Sequence, residues 1–370
     1  MVGAKGIPVE AGLSGGIERV VEELSSRLVE KGHNVTVYAR PYQNTKKRKV
    51  WNGVKIVTVP CLRLRYAETV SHVLLSLLHA SFQRWDIIHI HGVGPSTLSW
   101  IPRLLNPRAR VVVTFHARDQ FHELQHPAAR IFLAFGEWTA VRFPHATIAV
   151  SHVIQEFCKK AFRADAVLIP NAVSLPRLDV GADRLASLKL EPGKYFLGVG
   201  RLVQFKAFDV AIRAYREVAT DMPFVIAGAA GYDRKYAARL TRAVGKHKRV
   251  RLLGFQSGEN LQQLIANAYA VIHPSRIEGM SLAVLEAMSY GKLVIMSNIP
   301  ENREIADHSA VCVTVGSDES FRDAITWATS DPAMVQERGA RARLFVAEHY
   351  AWGPVVQKTE RLYKRLLSGT

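Results

Sequence analysis

The 370-residue sequence predicts two doubly wound α/β units in series, each a parallel sheet with helices on both faces. Three observations predict it. The apolar runs are near-continuous Val and Ile rather than alternating, as in strands buried on both faces. They alternate with helical segments from end to end, the order that builds parallel sheets. The alternation then restarts after "IPNAVSLPRLDVGADRLASLKLEPGKY", a proline-bearing interval that reads as a domain boundary near residue 175.

Along the chain, "MVG" is all that precedes the loop "AKGIPVEAGLSGG", where a strand of about five or six residues would normally stand, so the first strand is a stub or starts upstream. "GGIERVVEELSSRLVEKG" predicts a helix that begins beside a glycine pair, carries acids early and ends at Gly32. Strands are predicted over 34–40, 54–59, 86–91, 110–116, 146–151 and 166–171. In the second half they fall at 195–201, 223–228, 249–254, 268–275, 292–297 and 310–315. A first domain at 1–175, a second at 176–345 and a closing helix at 346–370 that packs back on the first are expected, with ligands at the carboxyl ends of the strands in a cleft between the domains.

Bulk properties narrow the class. A hydrophobic content of 48% suffices for two cores and excludes a disordered chain. Residues 1–175 hold 22 Lys and Arg against 12 Asp and Glu, or +10, and the remainder 27 against 20, or +7, for a net charge of +17. Such a balance fits nucleic acid, anionic lipid or phosphorylated substrates equally, and also aids solubility. Cys61, Cys158 and Cys312 lie far apart, without the spacing of a zinc site or a disulfide framework, which points to the cytoplasm. "VLLSLLHASF" and "IFLAFGEWTAV" are too short or carry a charge, so no membrane span is expected.

The stretch "RIEGMSLAVLEAMSYGKLVIMS" places Glu278 and Glu286 among apolar residues, where a carboxylate needs partners. It follows a strand and opens a helix, so Gly279, Met280, Ser281 and Leu282 are predicted to present backbone N–H groups suited to a phosphate. Glu286, on the second turn, suits hydroxyls of a ligand held there. An acidic first turn with a wet Glu286 explains the spacing as well. Arg201 ends the strand of "GVGRLVQFKAFD", and Lys206 falls at the start of the next helix, where the helix dipole disfavours a cation. A bound diphosphate would remove that conflict, and two ordinary surface cations are the alternative. Gly15 and Gly16 allow backbone approach to a phosphate or form a plain turn. His116 ends a strand and is expected to face the cleft, while His89 reads as core and His91 as a cleft candidate on the same strand face.

"GRLVQFKAFD", "LLGFQS" and "HPSRIEGMSLAVLEAMSYGKLVI" stand in the order and spacing of retaining glycosyltransferases of the large family-four group, which the chain resembles over nearly its whole length. The opening "GAKGIP" looks like a subset associated with bacterial polysaccharide assembly. The resemblance implies the GT-B architecture, two Rossmann-like domains facing a cleft, the first binding acceptor and the second a nucleotide-sugar. It implies Arg201 and Lys206 on the diphosphate, Glu286 on the ribose, Glu278 and His116 at the donor sugar and Leu253 beside the base. Met280 and Ser281 stand where the family often has Phe and Gly or Pro.

The resemblance further implies a UDP- or GDP-sugar as donor with no additional cofactor, and a glycan or lipid-linked acceptor. No Asp-x-Asp pair is present, in keeping with metal-independent GT-B chemistry. The incomplete glycine fingerprint of "GAKGIP", with no acid placed to bind ribose after a following strand, argues against a dehydrogenase. A nucleotide-sugar epimerase on the same fold and a non-catalytic polyanion binder stay open, although nucleic acid is not the expected partner. Lys46, Lys47, Arg48 and Lys49 beside Trp51 suit an anionic membrane surface at its inner face, or form a solvated loop tip.

Overall fold

The computed structural model describes residues 1–9, 15–44, 46–64, 67–118, 127–231, 233–245, 247 and 249–369. The chain forms two compact units, Met1–Asn171 with Trp352–Thr370, and Ala172–Ala351. The divisions expected near 175 and 345 thus stand at 171/172 and 351/352.

The first unit holds β1 (Thr36–Ala39), β2 (Val50–Trp51), β3 (Val54–Thr58), β4 (Ile87–His91), β5 (Arg110–Phe115), β6 (Ala146–Ala149) and β7 (Val167–Leu168). They form sheets of order β1-β3-β2 and β4-β5-β6-β7. Residues 1 and 2 lie between the two: Val2 N–H donates to His89 O at 2.9 Å, His91 N–H to Val2 O at 2.8 Å, and Tyr38 N–H to Met1 O at 3.1 Å. The short opening segment is therefore a rung that connects β1 to β4.

Sequence reasoning missed β2. It pairs antiparallel with β3 through Asn52 and Gly53, both at positive φ, the backbone a two-residue hairpin turn requires. The basic run beside it is mostly exposed, but Trp51 is not presented to solvent as an interfacial aromatic. Its ring lies under the Arg48 guanidinium at 4.7 Å, and its N–H donates to Glu22 at 2.8 Å.

The helix Gly16–Glu30 starts where predicted, and its own Glu18 accepts from Gly15 N–H at 2.7 Å and from Lys5 N–H at 2.9 Å. The closing helix Trp352–Ser368 belongs to the first unit. Tyr363 meets His89 at 2.6 Å, Glu360 accepts from His33 at 3.2 Å, and Arg27 lies over Trp352.

The second unit holds β8 (Phe196–Val199), β9 (Phe224–Ala227), β10 (Val250–Gly254), β11 (Ala270–His273), β12 (Leu293–Ser297) and β13 (Val311–Val313). All are parallel in one sheet of order β10-β9-β8-β11-β12-β13. Its core stacks Phe196, Phe208, Tyr215, Phe224 and Phe321 between sheet and helices. Among the described residues no helix is long and apolar enough to cross a membrane.

Candidate functional site

The strand order of the second sheet reverses between β8 and β11, and in doubly wound sheets the crevice beyond the carboxyl ends of such a pair takes the ligand. β8 runs into Gly200 and Arg201, and β11 ends at His273. A Cβ on Gly228, just past β9, would lie 1.8 Å from Gly200 O, so the loops after β8 and β9 touch backbone to backbone and glycine is required there. Arg276 N–H donates to Phe205 O at 2.8 Å and ties the loop after β8 to the one after β11.

Between those loops stands a charged cluster. Lys206 Nζ donates to Glu278 Oε1 at 2.5 Å, and His273 Nε2 lies 2.9 Å from the same oxygen. An ionised carboxylate only accepts, so His273 donates from Nε2. The Lys206 and Glu278 side chains are 12% and 11% exposed, which makes this a buried ion pair. Burial pushes the Glu278 carboxyl up, but Lys206 and His273 reverse that and hold it well below the usual carboxylate range. Burial lowers His273 below the ordinary histidine value against the pull of Glu278. The cluster is thus ammonium, carboxylate and neutral imidazole, and Glu278 Oε2 is the further acceptor it offers.

This corrects one sequence expectation. Lys206 does not begin the helix Phe208–Glu217 but ends a single 3-10 turn, Gln204–Lys206, and Ala207, left-handed at φ 49, separates the two. The cation that seemed to need a ligand is neutralised by Glu278, 72 residues away. Sequence reasoning also passed over His273, although a strand-end histidine five residues before Glu278 was a readable signal.

The remaining residues fall around this cluster or apart from it. Arg201 is exposed, its guanidinium 5.8 Å from the Phe205 ring. Gly279, Met280 and Ser281 are buried, and Leu282 is half-buried. Ser281 caps the helix Leu282–Ser289 by position, but its hydroxyl makes no capping bond. Glu286 is half-buried on the second turn of that helix. Leu253 lies on β10, the edge strand, with β9 between it and β8.

In the first unit His116 follows β5, and His91 ends β4 beside it. Their rings stack at 5.5 Å, with His91 Nδ1 3.2 Å from His116 Nε2. His89 stacks on His91 at 4.1 Å and bonds Tyr363 and Thr114 at 2.6 and 2.7 Å, so the core role expected for His89 is what its contacts give it. Burial keeps His89 and His91 well below the ordinary value, hence neutral. His91 is itself buried and backs His116. Gly15 spends its N–H on Glu18.

Comparison with known proteins agrees with this construction. Residues 14–177 match the Glycosyltransferase Family 4 model, and residues 181–345 that of Glycosyl transferases group 1. The phosphatidylinositol N-acetylglucosaminyltransferase gpi3 subunit of Schizosaccharomyces pombe is 25% identical over 370 residues, covering 96% of this chain and 78% of that protein. Among solved structures, a sucrose-phosphate synthase from Thermosynechococcus elongatus superposes with a TM-score of 0.86 at 18% identity, over 100% of this chain and 98% of that one. Anabaena HepE, solved with UDP and glucose, gives 0.79 at 17% identity over 96% and 98%. Two Rossmann-like units of this kind define the GT-B fold. The chain belongs to the glycosyltransferases, with a family 4 segment in its first unit and a group 1 segment in its second.

Proposed function

We propose that this chain is a retaining, metal-independent transferase that moves a hexosyl or deoxyhexosyl group from a nucleotide-diphosphate donor to a hydroxyl of a glycan or lipid-linked acceptor. The Lys206–Glu278–His273 cluster at the switch point of the second sheet carries the reading. HepE, solved with UDP and glucose, and the yeast relative, named for transfer to phosphatidylinositol, support a nucleotide-sugar donor and a lipid-linked acceptor.

In this reading Lys206 trades Glu278 for the donor diphosphate, with Arg201 gripping it by its fork and the backbone of Gly279 to Leu282 facing the distal phosphate. Glu286 accepts from the ribose, and Glu278 and His116 serve the sugar. The bond from the anomeric carbon to phosphate oxygen breaks with its electron pair going to the phosphate. The acceptor oxygen bonds the same carbon on the same face and gives its proton to the departing phosphate. Fixed cations and helix N–H groups stabilise the charge that grows there.

Thermal-shift measurement with UDP, GDP, ADP and dTDP tests the donor site, because a ligand of the native state raises its stability. One diphosphate is expected to stand out. Glu286→Ala is expected to weaken its binding about ten- to a hundredfold, the loss of a charge-assisted bond of about 1.5–3 kcal/mol. Wild-type affinity in the variant by calorimetry would remove Glu286 from the site. Transfer is further expected to proceed in EDTA with retention at the anomeric carbon, read by proton NMR of the product. An inverted product, or activity abolished by EDTA and restored by manganese, contradicts the mechanism.

The chain is further proposed to act in the cytoplasm at the inner face of the membrane, where a lipid-linked acceptor presents itself.

A further inference from the structure

The helix Pro127–Arg142 carries large apolar side chains on the face that solvent sees. Ile131 is 72% exposed, Phe135 46% and Trp138 41%, and Arg142 is exposed beyond them. At 3.6 residues per turn positions 131, 135, 138 and 142 fall within roughly 60° of arc, a single stripe. The opposite face fixes this orientation. A Cβ on Gly136 would lie 2.5 Å from Val93 O, so the helix is seated by direct approach of its Gly136 to the helix Val93–Ser96. The only carboxylate of the helix, Glu137, is buried.

The stripe continues across neighbouring elements. Phe135 stacks on Trp138 at 5.7 Å, and Trp138 meets Phe143 edge-on at 5.5 Å. His145, just beyond, contacts Arg103 of the helix Trp100–Leu105, on which Trp100, Leu104 and Leu105 are also exposed. From Ile87 to Arg118 the sequence contains no Asp or Glu, but does contain Arg103, Arg108, Arg110 and Arg118. Among the described residues this surface is apolar and aromatic, with Arg103, Arg130 and Arg142 exposed at its edge.

We propose that this face docks the first unit on an anionic bilayer, with Ile131, Phe135 and Trp138 entering the boundary between headgroups and acyl chains while Arg103, Arg130 and Arg142 meet headgroup phosphates. The inference rests on the proposed lipid-linked acceptor, but its measurement is independent of transfer. Charge complementarity selects the occupant. A second copy meeting the first across this face would set arginine against arginine with no exposed carboxylate from either helix, whereas an anionic lipid surface supplies the missing sign. Aromatic side chains over a basic edge are the composition of helices that lie in the interface plane.

The test is sedimentation of the full chain with vesicles of phosphatidylglycerol and phosphatidylcholine, and with phosphatidylcholine alone, at low salt. The wild type is expected to bind the anionic vesicles and to bind neutral ones at least tenfold more weakly. Phe135→Ser with Trp138→Ser is expected to weaken anionic binding at least tenfold, about 1.4 kcal/mol. A variant with Ser at positions 46, 47, 48 and 49 is expected to lose less than that pair. Both variants change exposed or partly exposed side chains, and an unchanged melting temperature establishes that they fold. Anionic binding that survives in the Phe135 and Trp138 variant overturns the proposal, as does its loss in the position 46–49 variant alone. A dimer in light scattering that the Phe135 and Trp138 changes abolish, without vesicle binding by the wild type, assigns the face to self-association instead. Donor binding by thermal shift in the same variants reports the second unit separately, so failure at the membrane and failure of the glycosyltransferase reading are told apart.

Discussion

Lys206→Ala is expected to lower the stability of the second unit by about 3–5 kcal/mol, the cost of leaving a buried carboxylate without its ammonium. Both side chains are nearly nine-tenths buried, so solvent does little to replace the lost partner. Lys206→Met combined with Glu278→Leu removes both charges and is expected to recover most of the loss. Hydrogen exchange resolved over peptides from residues 172–351 measures both. Equal stability of wild type and Lys206→Ala would mean that the pair is solvated and holds nothing together. The single variant also loses diphosphate affinity under the proposed function, and the double variant separates the effects by regaining stability without regaining affinity. The sign with pH follows from Glu278, whose folded value is depressed. Its contribution is present above the unfolded value of about 4.5 and is lost as pH falls.

Acidification is expected to weaken the first unit through its buried histidines. His89 and His91 are held neutral by burial, with folded values well below 6.5. As pH falls through 6.5 the unfolded chain takes up protons that the folded one refuses, so stability present at pH 7.5 is lost progressively below 6.5. Both histidines act in this direction, because burial lets neither take up a proton in the folded chain near its ordinary value. His72, lowered to about 4 by burial and then by Arg40, acts in the same direction. Five of the six tryptophans, all but Trp327, lie in the first unit, so urea unfolding read by fluorescence at pH 7.5 and pH 5 reports it. His91→Phe is expected to flatten the pH dependence. A midpoint that does not move between the two pH values would refute a neutral histidine stack.

How much of this was legible in the sequence depended on whether its cause was local. The six strands of the second sheet stood out because runs such as "KLVIMS" and "AYAVIHPS" are apolar on both faces. β2 did not, because two residues beside four cations look like loop, although Asn52-Gly53 marked the hairpin. Arg201, Lys206 and Glu278 were picked out through their chemistry and the spacing of a family motif. Their partners were not, since the bond between Lys206 and Glu278 joins residues 72 apart, and no window of sequence contains it. The left-handed Ala207, which detaches Lys206 from its helix, carries no glycine to announce it. The exposed stripe on Pro127–Arg142 was hidden for the opposite reason: "IFLAFGEWTAV" was weighed only as a membrane span, and only the seating of Gly136 shows which face turns outward.

The return of the helix Trp352–Ser368 to the first unit has a consequence for the order of events during synthesis. The second unit is continuous in sequence, and every strand of its sheet has left the ribosome once residue 313 has. The first unit, though made earlier, waits for residues 352–368, and the hydroxyl that meets the buried ring of His89 belongs to Tyr363, near the end of that segment. Domains usually close in the order of their translation. Here the inserted unit can close first, while the earlier one stays incomplete, its apolar strands open to chaperones or to misassembly until the final helix arrives.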